Sequence, residues 1–250
     1  MCYNEFVRKF RKGENKMHRY ENVCVDVWGD WAMFTRPDSH VERATYPIPT
    51  PAACRGILSA IYNKPAEFYY EITQIDVMKP IRLMTLKRNE VKSKVNVSDA
   101  RNKPDYFINT AEQRTQRMCT YVRDVYYRIH ARIVIKNNVQ AHVNLASLVD
   151  QFQRRVKSGK CFCQPALGTR ECMCYFSLPN DNMKPIDKSD VFGVVLYDVF
   201  DIRKSDPLIT GSKQSGKTVP SFFNAVMSHG SIRVPLYESD EILVRRDSNV

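Results

Sequence analysis
The chain has 250 residues, 43% hydrophobic and 26% charged, which is the make-up of an ordinary globular protein with room for one large domain or one domain and a smaller second one. A formal charge of +11 directs attention to polyanionic partners: RNA, DNA or an anionic membrane surface. No apolar run reaches the ~18 residues of a membrane span, the opening MCYNEFVRKFRKGENK is charged where a secretory leader is apolar, and the eight cysteines read as reduced thiols of a cytoplasmic protein.

Residues 1–21 read as a basic N-terminal extension, either a solvated tail or a short basic arm. From residue 22 the pattern becomes regular. Val23, Val25 and Val27 alternate with Cys24, Asp26 and Trp28, which predicts a strand ending at Gly29-Asp30. A loop with Arg36, Pro37, His40, Glu42 and Arg43 follows. Thr50 then offers an N-cap and Pro51 a first helical residue. Ala52, Leu58, Ile61 and Tyr62 mark an amphipathic helix that Pro65 stops.

Residues 72–86 alternate around Lys79-Pro80 and predict a second strand. Residues 87–118 lack a period and are rich in Lys and Arg, with Tyr106 and Phe107 among them. This composition predicts a basic loop or hairpin insertion suited to single-stranded nucleic acid, the alternative being a solvated surface loop. Residues 119–135 form a long alternating run with Val122, Val125, Tyr127 and Ile129 on one side. Asn144 caps a helix over 144–157 whose apolar face is Leu145, Leu148, Val149, Phe152 and Val156. Residues 172–178 are strand-like.

The order is βαββαβ, the split βαβ pattern of a ferredoxin-like (RNA-recognition-like) domain over 22–180. The strand at 190–202 and short strands over 219–234 predict a second, smaller β-rich domain over 181–250. The fold class expected is therefore α+β.

Gly211 to Thr218 spells G-x-x-x-x-G-K-[ST]. Asp206-Pro207 precedes it and Val219-Pro220 follows, so the strand and helix that a phosphate loop needs are not predicted, and a flexible basic turn is the reading. Cys161, Cys163, Cys172 and Cys174 invite a zinc reading. Their one-residue spacing is tighter than that of tetrahedral thiolate sites, which favours free thiols. The five histidines, His18, His40, His130, His142 and His229, show no ligand spacing with carboxylates, and His130 reads as a packing residue in a strand. No metal and no cofactor is expected.

Several blocks are similar to those of the CRISPR-associated family-five proteins of subtype I-C, the Dvulg variant. They are VWGDWAMFTRP at 27–37, PTPAACRGILSAIYNKP at 49–65, MKPIRLMTLKRNEV at 78–91, VRDVYYRIHA at 122–131 and FQRRVKSGKCFCQPALGTRE at 152–171. The likeness runs in order from residue 22 to 235. It implies a ferredoxin-like fold and binding of CRISPR RNA by its repeat-derived 5′ handle. It also implies membership of an antiviral surveillance (Cascade) complex, with backbone and large subunits as neighbours, target DNA met indirectly and no membrane. In this variant it further implies metal-independent cutting of precursor CRISPR RNA.

The family's catalytic Tyr matches Tyr62. Its Lys-His pair does not match, because Ser147 and Leu148 stand there. His142 or Lys136 is the nearest substitute, and Arg55 and Arg43 are the cations expected around Tyr62. Expected RNA contacts are Arg36, Arg43, Arg55, Lys87, Arg88, Arg117 and Arg170, with structural ion pairs the alternative for Arg55 and Arg170. Endoribonuclease and non-catalytic RNA-binding subunit both remain open.

Overall fold
The computed structural model describes residues 20–39, 41–136, 143–199 and 220–244. His40, His142, residues 1–19 and the glycine-lysine segment at 211–218 lie outside them. The elements in order are β1 (Tyr20–Ala32), β2 (Phe34–Thr35), β3 (Thr45–Tyr46), α1 (Pro51–Ile61), β4 (Phe68–Val77), β5 (Leu83–Val91) and α2 (Val97–Asn102). They continue with β6 (Arg114–Ile135), α3 (Leu145–Lys157), β7 (Tyr175–Ser177), β8 (Asp190–Asp198), β9 (Ser221–Ser228), β10 (Ser231–Arg233) and β11 (Leu243–Val244). The architecture is mostly antiparallel sheet with few helices. No helix among the described residues is long and apolar enough to cross a membrane.

The long strand β6 organises the sheet. Its 22 residues pair with β1 on one edge, from Tyr20↔Val134 to Ala32↔Val122. On the other edge it meets β5 over Arg114–Val122 and β4 over Tyr127–Ile135. The change of neighbour falls at Asp124, whose φ of 51° is left-handed. Lys79 Nζ donates to its carboxylate at 2.6 Å. The path of the sheet is β11-β9-β10-β4-β6-β1-β7, with β5 on β6 and β8 on β9.

Alternation divides the sheet into two faces. Val23, Val25, Val27, Val125, Tyr127, Ile129, Ala131 and Ile133 are buried on one, in the same core as Ile57, Leu58, Ile61, Leu148, Val149, Phe152 and Val156 of the helices. Helices α1 and α3 start where the sequence places their caps, whereas α2, capped by Asn96, is not among the expected elements. Ala53 N donates to Thr50 Oγ1 at 3.2 Å and Ser147 N to Asn144 Oδ1 at 3.4 Å. The expected strand over 72–86 is broken at residues 78–82, so that β4 and β5 lie end to end along β6. Residues 87–118 form a hairpin arm, built from β5, α2 and the start of β6.

The C-terminal strands do not stand apart as the sequence pattern suggests. Ile232 of β10 sits opposite Ile75 of β4, and Val195, Tyr197, Phe223 and Ala225 belong to the same core as the helices. The residues expected to form a smaller β-rich unit thus widen the sheet. Their chain returns to β4 because β10 can complete its open edge.

The opposite face is polar. Arg128 holds the buried Asp26 through bonds of 2.6 and 3.0 Å, and Asn180 N adds a third at 2.9 Å. His130 Nε2 lies 2.8 Å from Asp76 Oδ2. Burial opposes charge on this imidazole, but the Asp76 and Cys24 contacts outweigh it, and the His130 pKa is pushed up to about 10. The segment before β7 passes so close to β1 that side chains are excluded. A Cβ on Gly29 would lie 2.6 Å from Met173 O, and one on Gly168 (φ +92°) would overlap Met33 O.

Two outcomes follow from this packing. Gly168→Ala destabilises the protein by about 2–4 kcal/mol. Gly56→Ala, at a helical position with nothing within 4 Å, changes stability by less than about 1 kcal/mol. Denaturant titration of both variants checks the contrast. A raised folded-state pKa contributes stability that is full below the unfolded value of about 6.5 and declines as pH rises through about 10. The stability gap between wild type and His130→Gln is therefore widest near pH 6 and narrows by pH 10. A gap independent of pH refutes the charged pair.

Candidate functional site
The base of the β5–β6 arm gathers three of the arginines expected to contact RNA. Arg43 reaches it because its backbone joins β6: Arg43 N donates to Met118 O and Thr120 N donates to Arg43 O, both at 2.9 Å. Its guanidinium forks onto Glu90 at 3.0 and 3.1 Å. Arg117 approaches the same carboxylate at 3.5 Å. Arg88 sits directly opposite Arg117 in the hairpin register and bonds Tyr121 Oη at 2.5 Å and the Glu171 carboxylate.

Like charges facing each other across a hairpin repel. Glu90 and Glu171 offset that repulsion, and both are held below the usual carboxylate range, first by the hydrogen bonds from Arg43 and Arg88 respectively. The Glu42 carboxylate accepts from Met118 N at the same place, so the three guanidinium groups are tied among carboxylates and the surplus positive charge comes from the lysines and arginines around them. Lys87 and Arg170 are exposed beside it in sequence. Farther up the arm Phe107 is 77% exposed, while Tyr106 Oη accepts from Asn96 N and so braces the turn.

The other two expected contacts lie elsewhere. Arg36 pairs with Asp38 and covers the Tyr46 ring at 5.5 Å. Arg55 pairs with the buried Asp198 of β8 at 3.1 Å, which is the structural role the sequence left open for it.

Tyr62 is not on the helix. It is the C-cap of α1, in extended conformation, which turns its ring under α3. The Tyr62 hydroxyl donates to Gln151 Oε1 at 2.5 Å, and the Arg155 guanidinium lies 5.5 Å from the ring centroid. Burial raises the phenol's pKa, with Lys64 and then Arg155 pulling against it. The group is a neutral hydrogen-bond donor near pH 7. Its nearby cations are Arg155 and Lys64, the latter shared with the Glu67 carboxylate at 3.1 Å, and not Arg55 and Arg43, which pair with Asp198 and Glu90. Gln151 and Arg155 are four apart on α3 and so share a face, a signal present in the sequence. Where the resemblance implies a histidine, Leu148 is 3% exposed in the core, and Ser147 serves the helix cap. Lys136 donates its backbone N–H to Glu67 O at 3.0 Å.

The four cysteines of the zinc reading do not come together. Cys172 and Cys174 are buried, which pushes their thiols up, whereas Cys163 is exposed. Among the described residues no three His, Cys, Asp or Glu side chains converge as a ligand set.

Comparison with known proteins identifies the family. The family described as "CRISPR-associated protein (Cas_Cas5)" matches residues 23–235. A protein of Mannheimia succiniciproducens named "CRISPR pre-crRNA endoribonuclease Cas5d" is 34% identical over 233 residues, covering 88% of this chain and 97% of its own. One of the same name from Thermus thermophilus is 35% identical over 224 residues, covering 87% and 93%. A crystal structure described as a CRISPR-associated protein superposes with a TM-score of 0.61 at 22% identity, over 91% of this chain and 99% of that one. A functionally uncharacterized protein from Streptococcus mutans superposes with a TM-score of 0.62 at 18% identity, over the same shares. The chain therefore belongs to the Cas5 family of CRISPR-associated proteins, in the Cas5d group of that family.

Proposed function
We propose that the protein binds CRISPR RNA by its repeat-derived 5′ handle, as a subunit of a type I-C surveillance (Cascade) complex with backbone and large subunits as its neighbours. The observation that carries this reading is the gathering of Arg43, Arg88 and Arg117, with the exposed Lys87, at the foot of an arm whose upper part exposes Lys92, Lys94 and Phe107. Phosphates track such cations, and an exposed ring accepts a base. The core is read as ferredoxin-like: β1, α1, β4, β6, α3 and β7 follow the βαββαβ order, and the strand sequence β4-β6-β1-β7 is that of a split βαβ sheet.

Cleavage of precursor RNA is the second reading. It is favoured by the Tyr62 hydroxyl with Lys64 and Arg155 around it and by the names of the two curated relatives. In such a reaction the RNA 2′-oxygen forms a bond to phosphorus as its proton passes to a water molecule. The bond from phosphorus to the 5′-oxygen breaks, and that oxygen takes up a proton. A neutral phenol supplies a hydrogen bond or proton at the leaving side, and two cations oppose the charge growing on the phosphorane. The products are a 2′,3′-cyclic phosphate and a 5′-hydroxyl. The buried Leu148 weighs for the non-catalytic alternative.

Titrating repeat RNA against salt tests the first reading. The affinity falls steeply, and Lys87→Ala with Arg170→Ala lowers the log–log slope by about 1.4, roughly 0.7 per lost phosphate contact. A flat salt response refutes it. Incubation of wild type with the same RNA in EDTA tests the second. Cyclic-phosphate product that Tyr62→Phe slows about 100-fold at unchanged affinity supports cleavage. Uncut RNA in both EDTA and magnesium leaves the binding subunit.

A further inference from the structure
The half-open face of the sheet holds a row of rings to which the cleavage chemistry gives no part. Trp28 of β1 is the register partner of both Tyr126 of β6 and Tyr175 of β7, so three aromatic residues stand side by side on adjacent strands. The Trp28 and Tyr126 rings are 5.5 Å apart and 12° from parallel, and the Trp28 and Tyr175 rings 6.2 Å and 26°. Such spacing is that of offset stacking. The inner end of the row is fixed, because the Tyr126 hydroxyl donates to the buried Asp26 at 3.2 Å and Asp26 is clamped by Arg128. The outer end is not covered in this way. β7 is the last strand of the sheet, and Tyr175 is 48% exposed, with one ring face against Trp28.

We propose that the outer face of Tyr175 stacks one unpaired base of single-stranded RNA, extending the Tyr126–Trp28–Tyr175 row by a fourth ring. This rests on the RNA-binding reading above and adds a base site distinct from the arm. Two features favour a nucleotide over a peptide or a second copy of the chain. A flat ring held in a pre-ordered row matches a base and loses little rotamer freedom on contact, as in sheets that read RNA by stacking. The chain entering β7 is also strongly cationic: Arg154, Arg155, Lys157, Lys160 and Arg170 occur between residues 151 and 170 without one Asp or Glu. β7 covers only three residues of β1, which is a short edge for pairing with another strand.

The test compares wild type with Tyr175→Leu and Tyr175→Phe, using repeat RNA and a series of the same RNA with one abasic nucleotide moved along the 5′ handle. Tyr175→Leu keeps an apolar side chain on the strand but no flat ring. It weakens binding of intact RNA about tenfold, with the salt slope unchanged because no phosphate contact is lost. Tyr175→Phe recovers most of that loss. In wild type one abasic position costs about tenfold, and in Tyr175→Leu that same position costs nothing further. Equal thermal midpoints of the variants exclude misfolding as the cause. If wild type binds with steep salt dependence and Tyr175→Leu binds as well as wild type, the stacking site is refuted and the RNA-binding reading stands. A loss in Tyr175→Leu that is the same at every abasic position also refutes it. If wild type does not bind repeat RNA, both readings fall together.

Discussion
The pairing of β6 along its whole length is the constraint on which the remaining structure depends. Its inner half is sandwiched between β1 and β4, and its outer half carries β5 away from the helices. Twelve pairings in the β1 register, from Tyr20 to Ala32, fix which side chains face the core. A slip of one residue would turn Val23, Val25 and Val27 outward and bring Asp26 and Trp28 in. The same register that buries the valines sets Asp26 opposite Arg128 and Trp28 opposite Tyr126. Core, ion pairs and ring row are three readings of one alignment.

Charge on the arm is arranged rather than merely abundant. Arg88 faces Arg117 across the hairpin, a juxtaposition that holds because Glu90 and Glu171 come from a neighbouring residue and from a distant loop. Glu171 can reach Arg88 only because the chain before β7 passes over β1 at Gly168 and Gly29, where a Cβ would collide with backbone oxygen. Two glycines far from the arm thereby set the geometry of its foot. The hydrogen bonds orient the guanidinium groups at the cost of part of their net charge.

The local elements were legible in the sequence. Thr50-Pro51 and Asn144 mark true helix starts, the alternation of 119–135 marks β6, and the patternless basic stretch is the arm. What was hidden depended on contacts distant along the chain. Arg55 meets Asp198, 143 residues away, and Arg43 meets Glu90, 47 residues away. No local pattern encodes such pairs. Tyr62 fits the helical period yet lies one residue past the helix, since period alone does not show where a helix ends. The C-terminal strands alternate as any strands do. Their joining of β4 was invisible because edge pairing is written in backbone hydrogen bonds, not in side chains. Trp28, Tyr126 and Tyr175 each sat in plain view, but only the register makes them neighbours.

The outer edge of β5 has a bearing on how the molecule behaves in concentrated solution. Among the described residues, nine residues of this strand pair on one side only. An unpaired edge of that length is a template on which a second copy of the same strand can zip. Lys87 and Arg88 lie along it, with Lys92 and Lys94 just beyond, so two such edges approaching each other meet like charge with like charge. The cations that suit the arm to a polyanion thus also oppose the approach of a second such edge. That protection is coulombic and is screened within about 10 Å at 0.1 M salt. A solution that strips nucleic acid from the protein also lowers the barrier to its aggregation.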